Sequence, residues 1–138
     1  MLMPRKVKHR KWQRMRDRSL RVATDKVTLA FGPYGLRAQS SAWVSARQIE
    51  AARRAMTRFI KRGGKVWVRI FPDMPVTIKG SEVPMGGGKG AVDHYVVPVR
   101  AGSVLFEIDG VTEDVAKEAM RLASHKLSVT TRFIRKEI

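Results

Sequence analysis

With 138 residues, of which 43% are hydrophobic, the chain is long enough for one domain that buries roughly 68% of the surface its unfolded form would expose. Its 28 Lys and Arg against 12 Asp and Glu leave a formal net charge of +16, a self-repulsion that a polyanionic partner would neutralise. The absence of cysteine excludes disulfides, thiolate metal sites and cysteine nucleophiles, and no apolar run approaches the ~20 residues of a membrane span.

The positive charge is concentrated in the N-terminal half of the chain. Residues 1–65 hold 18 basic and 3 acidic side chains, a net charge of +15, whereas residues 66–138 hold 10 and 9, a net charge of +1. A charge so unevenly placed favours a nucleic acid partner that binds one part of the molecule.

Residues 1–21 are predicted to form a basic, extended arm that precedes a single α+β domain over residues 22–138. The segment has nine Lys or Arg, one Asp and very few residues suited to a core. A solvated tail is the alternative, but Trp12 and His9 have flat side chains that can stack on unpaired bases, which favours an arm threaded along phosphates. Its candidate RNA-binding residues are Arg5, Lys6, Lys8, Arg10, Lys11, Trp12, Arg14, Arg16, Arg18 and Arg21.

Alternating apolar side chains and turn residues predict a series of strands. Lys26–Phe31 alternates as a half-buried strand that the Gly-Pro-Tyr-Gly turn at 32–35 closes. Two later strands on either side of the Ala101-Gly102 turn are interpreted as a hairpin, and Pro98 restricts the first of them to an edge or a bulge. The remaining predicted strands and the two of the hairpin are Leu36–Ser40, Lys65–Phe71, Val76–Lys79, Tyr95–Val99, Val104–Ile108 and Val129–Arg135.

Two helices complete the predicted fold. Ser45 and Gln48 have the spacing of a capping box, which predicts a helix from about Ala46 to Arg62 that Gly63 and Gly64 end. Its core face is predicted from Ile49, Ala52, Met56 and Phe59 or Ile60, and a second helix capped by Thr112 is expected to turn Val115, Ala119 and Leu122 inward. The pattern predicts an α+β fold with a mostly antiparallel sheet and two packed helices.

The first helix also has a strongly basic face. A solvated charged face is the ordinary explanation for such a run, but only Glu50 is available to relieve six basic side chains, so their repulsion needs an external anion. Phosphate is the anion that we expect there. The six candidate RNA-binding residues are Arg47, Arg53, Arg54, Arg58, Lys61 and Arg62.

A glycine-rich segment over residues 79–91 is predicted to be a long mobile loop, since five glycines and a proline cannot hold regular structure. Its Gly-Lys pair invites comparison with a nucleotide-binding P-loop, but that motif needs Gly at position 83 and Ser or Thr at position 90, where Val83 and Gly90 stand. A plain linker is the alternative. Lys79, Met85 and Lys89 favour a loop that makes contacts.

No pattern of catalytic or metal-binding residues emerges. His9, His94 and His125 are far apart and have no ligand spacing, and nothing in the spacing of Asp73 and the carboxylates near the loop demands acid–base chemistry. We therefore predict no catalytic residue, no metal and no cofactor. A free RNA chaperone that uses the same basic half and a nucleotide-using enzyme built on the glycine loop are the rival hypotheses.

Five segments together resemble one family. They are similar to the bacterial-type large-subunit ribosomal protein sixteen family, in that family's order and across essentially the whole chain. The segments are FGPYGL at Phe31–Leu36, ARQIEAARRAM at Ala46–Met56, RGGKVWVRIFPD at Arg62–Asp73, MGGGKGAV at Met85–Val92 and LASHKL at Leu122–Leu127.

The resemblance implies a hammerhead-like domain that binds large-subunit ribosomal RNA near the aminoacyl-tRNA site, supports tRNA accommodation and subunit assembly, and performs no catalysis. It implies that the arm and the basic helix face ribosomal RNA, beside neighbouring ribosomal proteins. The loop is implied to face the aminoacyl-site tRNA, with the peptidyl-site tRNA as a second candidate partner. Its residues are Lys79, Met85, Gly86, Gly87, Gly88, Lys89 and Gly90.

The sequence departs from the family pattern at the loop, where Pro84 replaces an Arg that many members have and removes a positive charge. Met74 and the His94-Tyr95 pair are further departures. Because the family-like sequence begins at Met1, no transit peptide is expected, which favours a cytoplasmic bacterial ribosome or the ribosome of an organelle that encodes the protein.

Overall fold

The fold consists of two antiparallel sheets and two helices. The structure is a computed structural model, and it describes residues 1–13 and 21–137. One sheet has the strand order β3-β6-β1-β7 and the other has the order β2-β5-β4. The predicted α+β fold is thereby confirmed. In chain order the elements are β1 (Tyr34–Ala38), β2 (Ala42–Ser45), α1 (Ala46–Ile60), β3 (Lys65–Val68), β4 (Met74–Ile78), β5 (Ala91–Val99), β6 (Val104–Asp109), α2 (Glu113–Ser124) and β7 (Thr131–Arg135).

The two helices pack on each other and on the sheets. Helix α1 contacts α2, β2, β3 and β5, while α2 contacts β1 and β7. The small side chains of α2 let the helices approach closely. Of the predicted core residues of this helix, Ala119 is buried, whereas Val115 and Leu122 are only partly buried and the residue after each of them is buried instead. The buried residues are Ile49, Ala52, Met56 and Ile60 on α1, and Ala116, Ala119, Met120 and Ala123 on α2.

Local signals set the ends of α1. The capping box is present: the Gln48 backbone N–H donates to Ser45 Oγ at 3.2 Å, and the Ser45 N–H donates to Gln48 Oε1 at 3.0 Å. The helix ends at Ile60, two residues earlier than predicted, because Lys61 leaves the helical conformation with a φ of 56°. Gly64 does not end the helix. It is required for close packing, because a Cβ at this position would lie 2.9 Å from the carbonyl oxygen of Asp109.

The predicted hairpin between the strands on either side of Gly102 is wrong. Strand β5 pairs with β2 and β4, whereas β6 pairs with β1 and β3, so the two strands belong to different sheets. Gly102 has a φ of 97°, and its N–H donates to the carbonyl of Ala38 at 2.7 Å. The chain therefore uses this turn to pass from one sheet to the other.

Pro98 lies in the central strand of the three-stranded sheet, not in an edge strand. Its partner on β2 is Trp43, while the ladder with β4 extends only from Ala91 to Val96. At Pro98 the strand therefore has a neighbour on one side only, so the missing N–H removes no bond from the β4 ladder.

The predicted strand over Lys26–Phe31 is also wrong, and the buried carboxylate of Glu107 explains why. Glu107 Oε1 accepts hydrogen bonds from three consecutive backbone N–H groups, those of Ala30 at 2.9 Å, Phe31 at 2.8 Å and Gly32 at 3.1 Å. Successive N–H groups that converge on one oxygen cannot alternate between two neighbouring strands. The segment is thus a bound loop, and Phe31 is 57% exposed.

Arg69 completes this arrangement. Its Nη1 lies 3.2 Å from Glu107 Oε2, an ion-pair distance without the alignment of a hydrogen bond, and donates to the carbonyl of Thr28 at 2.7 Å. Gly32 is required for close approach, because a Cβ there would lie 2.6 Å from the carbonyl oxygen of Ile108. One side chain of β6 therefore holds the segment before β1 against the four-stranded sheet.

We predict that Glu107→Ala lowers the free energy of unfolding by about 3 kcal/mol, because it leaves three N–H groups without their acceptor and the Arg69 guanidinium without its ion-pair partner. Urea denaturation measures the change. Asp109→Ala, at an exposed end of the same strand, is the matched control and should cost less than about 1 kcal/mol. Equal effects of the two substitutions would contradict this account.

Candidate nucleic-acid interface

The outward side of α1 and the turn after it carry the six basic residues that the sequence singled out. Those of α1 are presented by a helix whose opposite side is buried, so their backbone is rigidly held. Arg47, Arg54, Arg58, Lys61 and Arg62 are exposed, and Arg53 is partly buried.

Glu50 forms ion pairs with two of these six basic residues. Its carboxylate binds Arg53 through two hydrogen bonds of 2.5 and 2.9 Å and Arg54 through one of 3.0 Å. These bonds, above all the two from Arg53, lower the pKa of Glu50 to about 2. The arrangement partly corrects the sequence interpretation, because Arg53 and Arg54 already have an anionic partner within their own helix.

The other four cations have no acidic partner in the part of the chain that the structure describes. Within residues 1–13 and 21–137, no acidic side chain forms an ion pair with Arg47, Arg58, Lys61 or Arg62. Surface cations of one sign at this density repel each other and lower stability unless an anion lies between them. The geometry therefore supplies a patch of free positive charge on a rigid helix and the turn that ends it.

The arm begins against the fold, not in solvent. Leu2 is partly buried against the hydrophobic core, and Met1 and Met3 line a crevice with Arg47 and Tyr95. This contact was not predicted, although three apolar residues before the first basic one are a signal for it. Farther along, Arg5, Lys6, Lys8, Arg10 and Arg21 are exposed and Lys11 is partly buried, while Arg14, Arg16 and Arg18 lie outside the described residues.

The structure brings the arm to the glycine loop. Lys11 Nζ donates to the carbonyl of Lys89 at 3.0 Å, and Lys89 Nζ donates in return to the carbonyl of Trp12. Trp12 remains 36% exposed. Two segments that the sequence treated separately therefore form one continuous basic surface.

The tip of the loop consists of glycines in a conformation that other residues avoid. Gly86, Gly87 and Gly88 have φ values of 99°, 75° and 98°, and a Cβ on any of them would meet nothing within 4 Å. Lys79 Nζ donates to the carbonyl of Gly86 at 2.7 Å, and the side chain of Met85 is fully exposed. The loop joins β4 to β5, which differs from the strand-to-helix junction of a P-loop.

A further basic groove was missed by the sequence analysis. It has a volume of about 800 Å³ beside the edge strand β7, and it combines four cations with the acidic residues Glu113 and Glu137. The three basic residues close together near the C-terminus are the signal that was available, but the low net charge of the C-terminal half hid it. The four cations are Arg37, Arg132, Arg135 and Lys136.

The described part of the chain contains neither a cluster of metal-ligating side chains nor a helix that could span a membrane. No group of three or more His, Asp or Glu residues there is arranged to hold a metal ion. None of its helices is both long enough and apolar enough to cross a bilayer. His94 Nδ1 lies 2.7 Å from Asp93 Oδ2, and His125 Nε2 lies 3.1 Å from Arg121 Nη1.

The depressed pKa of Glu50 predicts a pH-dependent contribution to stability. Because the folded state holds this pKa at about 2, below the usual 4.5, the ion pairs stabilise the fold above pH ~4.5 and the contribution is lost as the pH falls towards 2. The difference in unfolding free energy between the wild type and Glu50→Gln should therefore shrink over that range in urea titrations. Glu82→Gln controls for the removal of one negative charge, and a difference independent of pH would contradict the prediction.

The sequence matches the profile of one known protein family over most of its length. The sequence profile of the family described as ribosomal protein L16p/L10e matches residues 4–134, which include most of the arm, both helices and the glycine loop. A surface of unneutralised cations on a structured domain is what binding to folded RNA requires. The chain belongs to the ribosomal protein L16p/L10e family and is a structural, ribosomal-RNA-binding protein of the large ribosomal subunit.

Proposed function

We propose that this protein anchors itself on large-subunit ribosomal RNA near the aminoacyl-tRNA site and positions its glycine loop for tRNA accommodation. The observation that carries the proposal is the set of four cations around the end and the outer face of α1 that no acidic residue of the described chain neutralises. The role is structural and assists subunit assembly. A bacterial ribosome in the cytoplasm, or an organellar one, is the proposed location.

Phosphate contacts explain why these cations are left free. A guanidinium binds a phosphate through two parallel hydrogen bonds, and each contact releases counterions from the RNA. Arg47 and Arg58 supply such groups from the helix, and Lys61 and Arg62 extend the patch past its end. Arg53 and Arg54 contribute less, since they must share their charge with Glu50.

The arm extends the same surface. Its residues Arg5 to Lys11 lie between the contact of Leu2 with the core and the contact of Lys11 with the loop, so both ends of this stretch are held by the fold. A cationic segment fixed in this way meets RNA with less loss of conformational entropy than a free tail. Arg14, Arg16, Arg18 and Arg21 are proposed to continue the contact along the RNA.

The loop is proposed to face the tRNA in the aminoacyl site, with the peptidyl-site tRNA as a second candidate partner. Three glycines with open space around them allow the backbone N–H groups to approach an RNA backbone closely. Lys79 and Lys89 bring positive charge to the loop, and both are already held by backbone carbonyls. Pro84 adds no charge, so the interaction depends on these two lysines.

The salt dependence of binding tests the anchor. For the full-length protein and protein-free large-subunit ribosomal RNA, Arg58→Ala should reduce the slope of log K against log salt by about 1, because one phosphate contact is lost. Arg121→Ala is the matched control: this exposed arginine of α2 is paired with Glu118 and should leave the slope unchanged. Both should change the unfolding free energy by less than about 0.5 kcal/mol. Identical slopes for the two variants would refute the proposed anchor.

Alanine at Gly86, Gly87 and Gly88 together tests the loop. The substitutions force side chains into a positive-φ conformation without creating a clash, so the loop should change shape while the fold persists. We expect normal incorporation into large subunits on sucrose gradients and slower accommodation of aminoacyl-tRNA in rapid kinetics. Gly63→Ala, where a Cβ would be 3.5 Å from its nearest neighbour, is the control. Unchanged accommodation would count against the role of the loop.

A further inference from the structure

Phe31 is an exposed aromatic residue on a rigidly held backbone. More than half of its surface is open to solvent, at 57%, yet its own N–H and those on both sides of it are bound by Glu107. A mobile loop would let such a side chain turn away from water or fold over a neighbour. The backbone instead holds Phe31 at the surface, as expected of a residue with an external partner.

Phe31 belongs to a cluster that we call the aromatic shelf, defined as Phe31, Trp67, Lys65 and Arg69. The rings of Phe31 and Trp67 are stacked with centroids 5.9 Å apart and planes inclined by 18°. Lys65 Nζ lies 5.2 Å from the centroid of Trp67, and Arg69 Cζ lies 5.6 Å from that of Phe31. Two aromatic faces and two cations are thus combined on one side of β3 and the loop before β1.

The charges of the shelf differ in availability. Arg69 forms an ion pair with the buried Glu107, whereas Lys65 is exposed. Asp109, which faces Lys65 across the β3–β6 ladder, accepts a hydrogen bond from the N–H of Gly110 at 2.7 Å. An exposed ring beside an exposed ammonium group suits a ligand that has both a flat π-face and a negative charge.

We propose that the aromatic shelf binds an unpaired nucleobase of the large-subunit ribosomal RNA, stacked on Phe31, with the adjoining phosphate near Lys65. Unpaired bases in folded RNA are commonly bound by stacking on aromatic side chains, with nearby cations that hold the backbone. An apolar surface of another protein would cover Phe31 equally well, but it would also bury the Lys65 charge without a partner. The shelf shares no residue with the α1 patch, the arm or the glycine loop.

Affinity for protein-free large-subunit ribosomal RNA provides the first test. Phe31→Leu should weaken binding of the full-length protein about 10-fold, the loss typical of one stacked base, while Phe31→Tyr should remain within about 3-fold of the wild type. Phe71→Leu is the matched control, since Phe71 is 45% exposed and lies outside the shelf. Equal affinities of Phe31→Leu and Phe71→Leu would overturn the proposal.

The slope of log K against log salt separates this proposal from the anchor on α1. A stacked base carries no charge, so Phe31→Leu should lower affinity at every salt concentration and leave the slope as it is in the wild type. Arg58→Ala should change the slope. If Arg58→Ala left the slope unchanged while Phe31→Leu still weakened binding, the proposed anchor would be refuted and the proposed shelf would stand.

Cross-linking in assembled subunits provides a test that does not depend on the folding of Phe31→Leu. With p-azidophenylalanine in place of Phe31, irradiation should give an adduct with a nucleotide of the ribosomal RNA that is not base-paired. The same label in place of Phe71 is the control for position. Adducts of the Phe31 label confined to a ribosomal protein, or no RNA adduct above the control, would overturn the proposal.

Discussion

The carboxylate of Glu107 is fully buried in β6, and a charge in that position must be compensated or the fold loses several kcal/mol. Three backbone N–H groups and Arg69 provide the compensation, and each of these groups becomes fixed in return. Because β6 also pairs with β1 and β3, the same carboxylate joins the loop before β1 to the centre of the sheet. The position of Phe31 over Trp67 depends directly on this one interaction.

The basic surfaces depend on a second division, between cations that the protein neutralises and cations that it leaves free. Glu50 and Glu118 each hold arginines of their own helix, whereas Arg47 and Arg58 have no acidic partner in the described chain. Net charge alone does not reveal which arginines are available. The buried apolar face of α1 gives these two arginines a rigid base, so that their spacing is set before the proposed contact with RNA forms.

Features that depend on neighbouring residues were predictable from the sequence, and those that depend on distant partners were not. The capping box at Ser45, the core stripe of α1 and the open tip of the glycine loop follow from local spacing. The loop at Phe31 depends on an acceptor 76 positions away, and the contact between Lys11 and the glycine loop spans 78 positions. The basic helix of the candidate site was predicted for the same local reason, whereas the shelf and the groove beside β7 appear only when strands are paired.

At Lys61, backbone stability and the proposed RNA contact make opposite demands on one position. Its φ of 56° is a conformation that glycine adopts readily, whereas a lysine there destabilises the folded backbone by about 1–3 kcal/mol. A glycine would therefore relieve backbone strain at the end of α1. Such a replacement would also remove one of the four free cations. If Lys61 contacts RNA as proposed, thermal stability and ribosome binding favour different residues here, and a stabilised version of this protein is best engineered with Lys61 left in place.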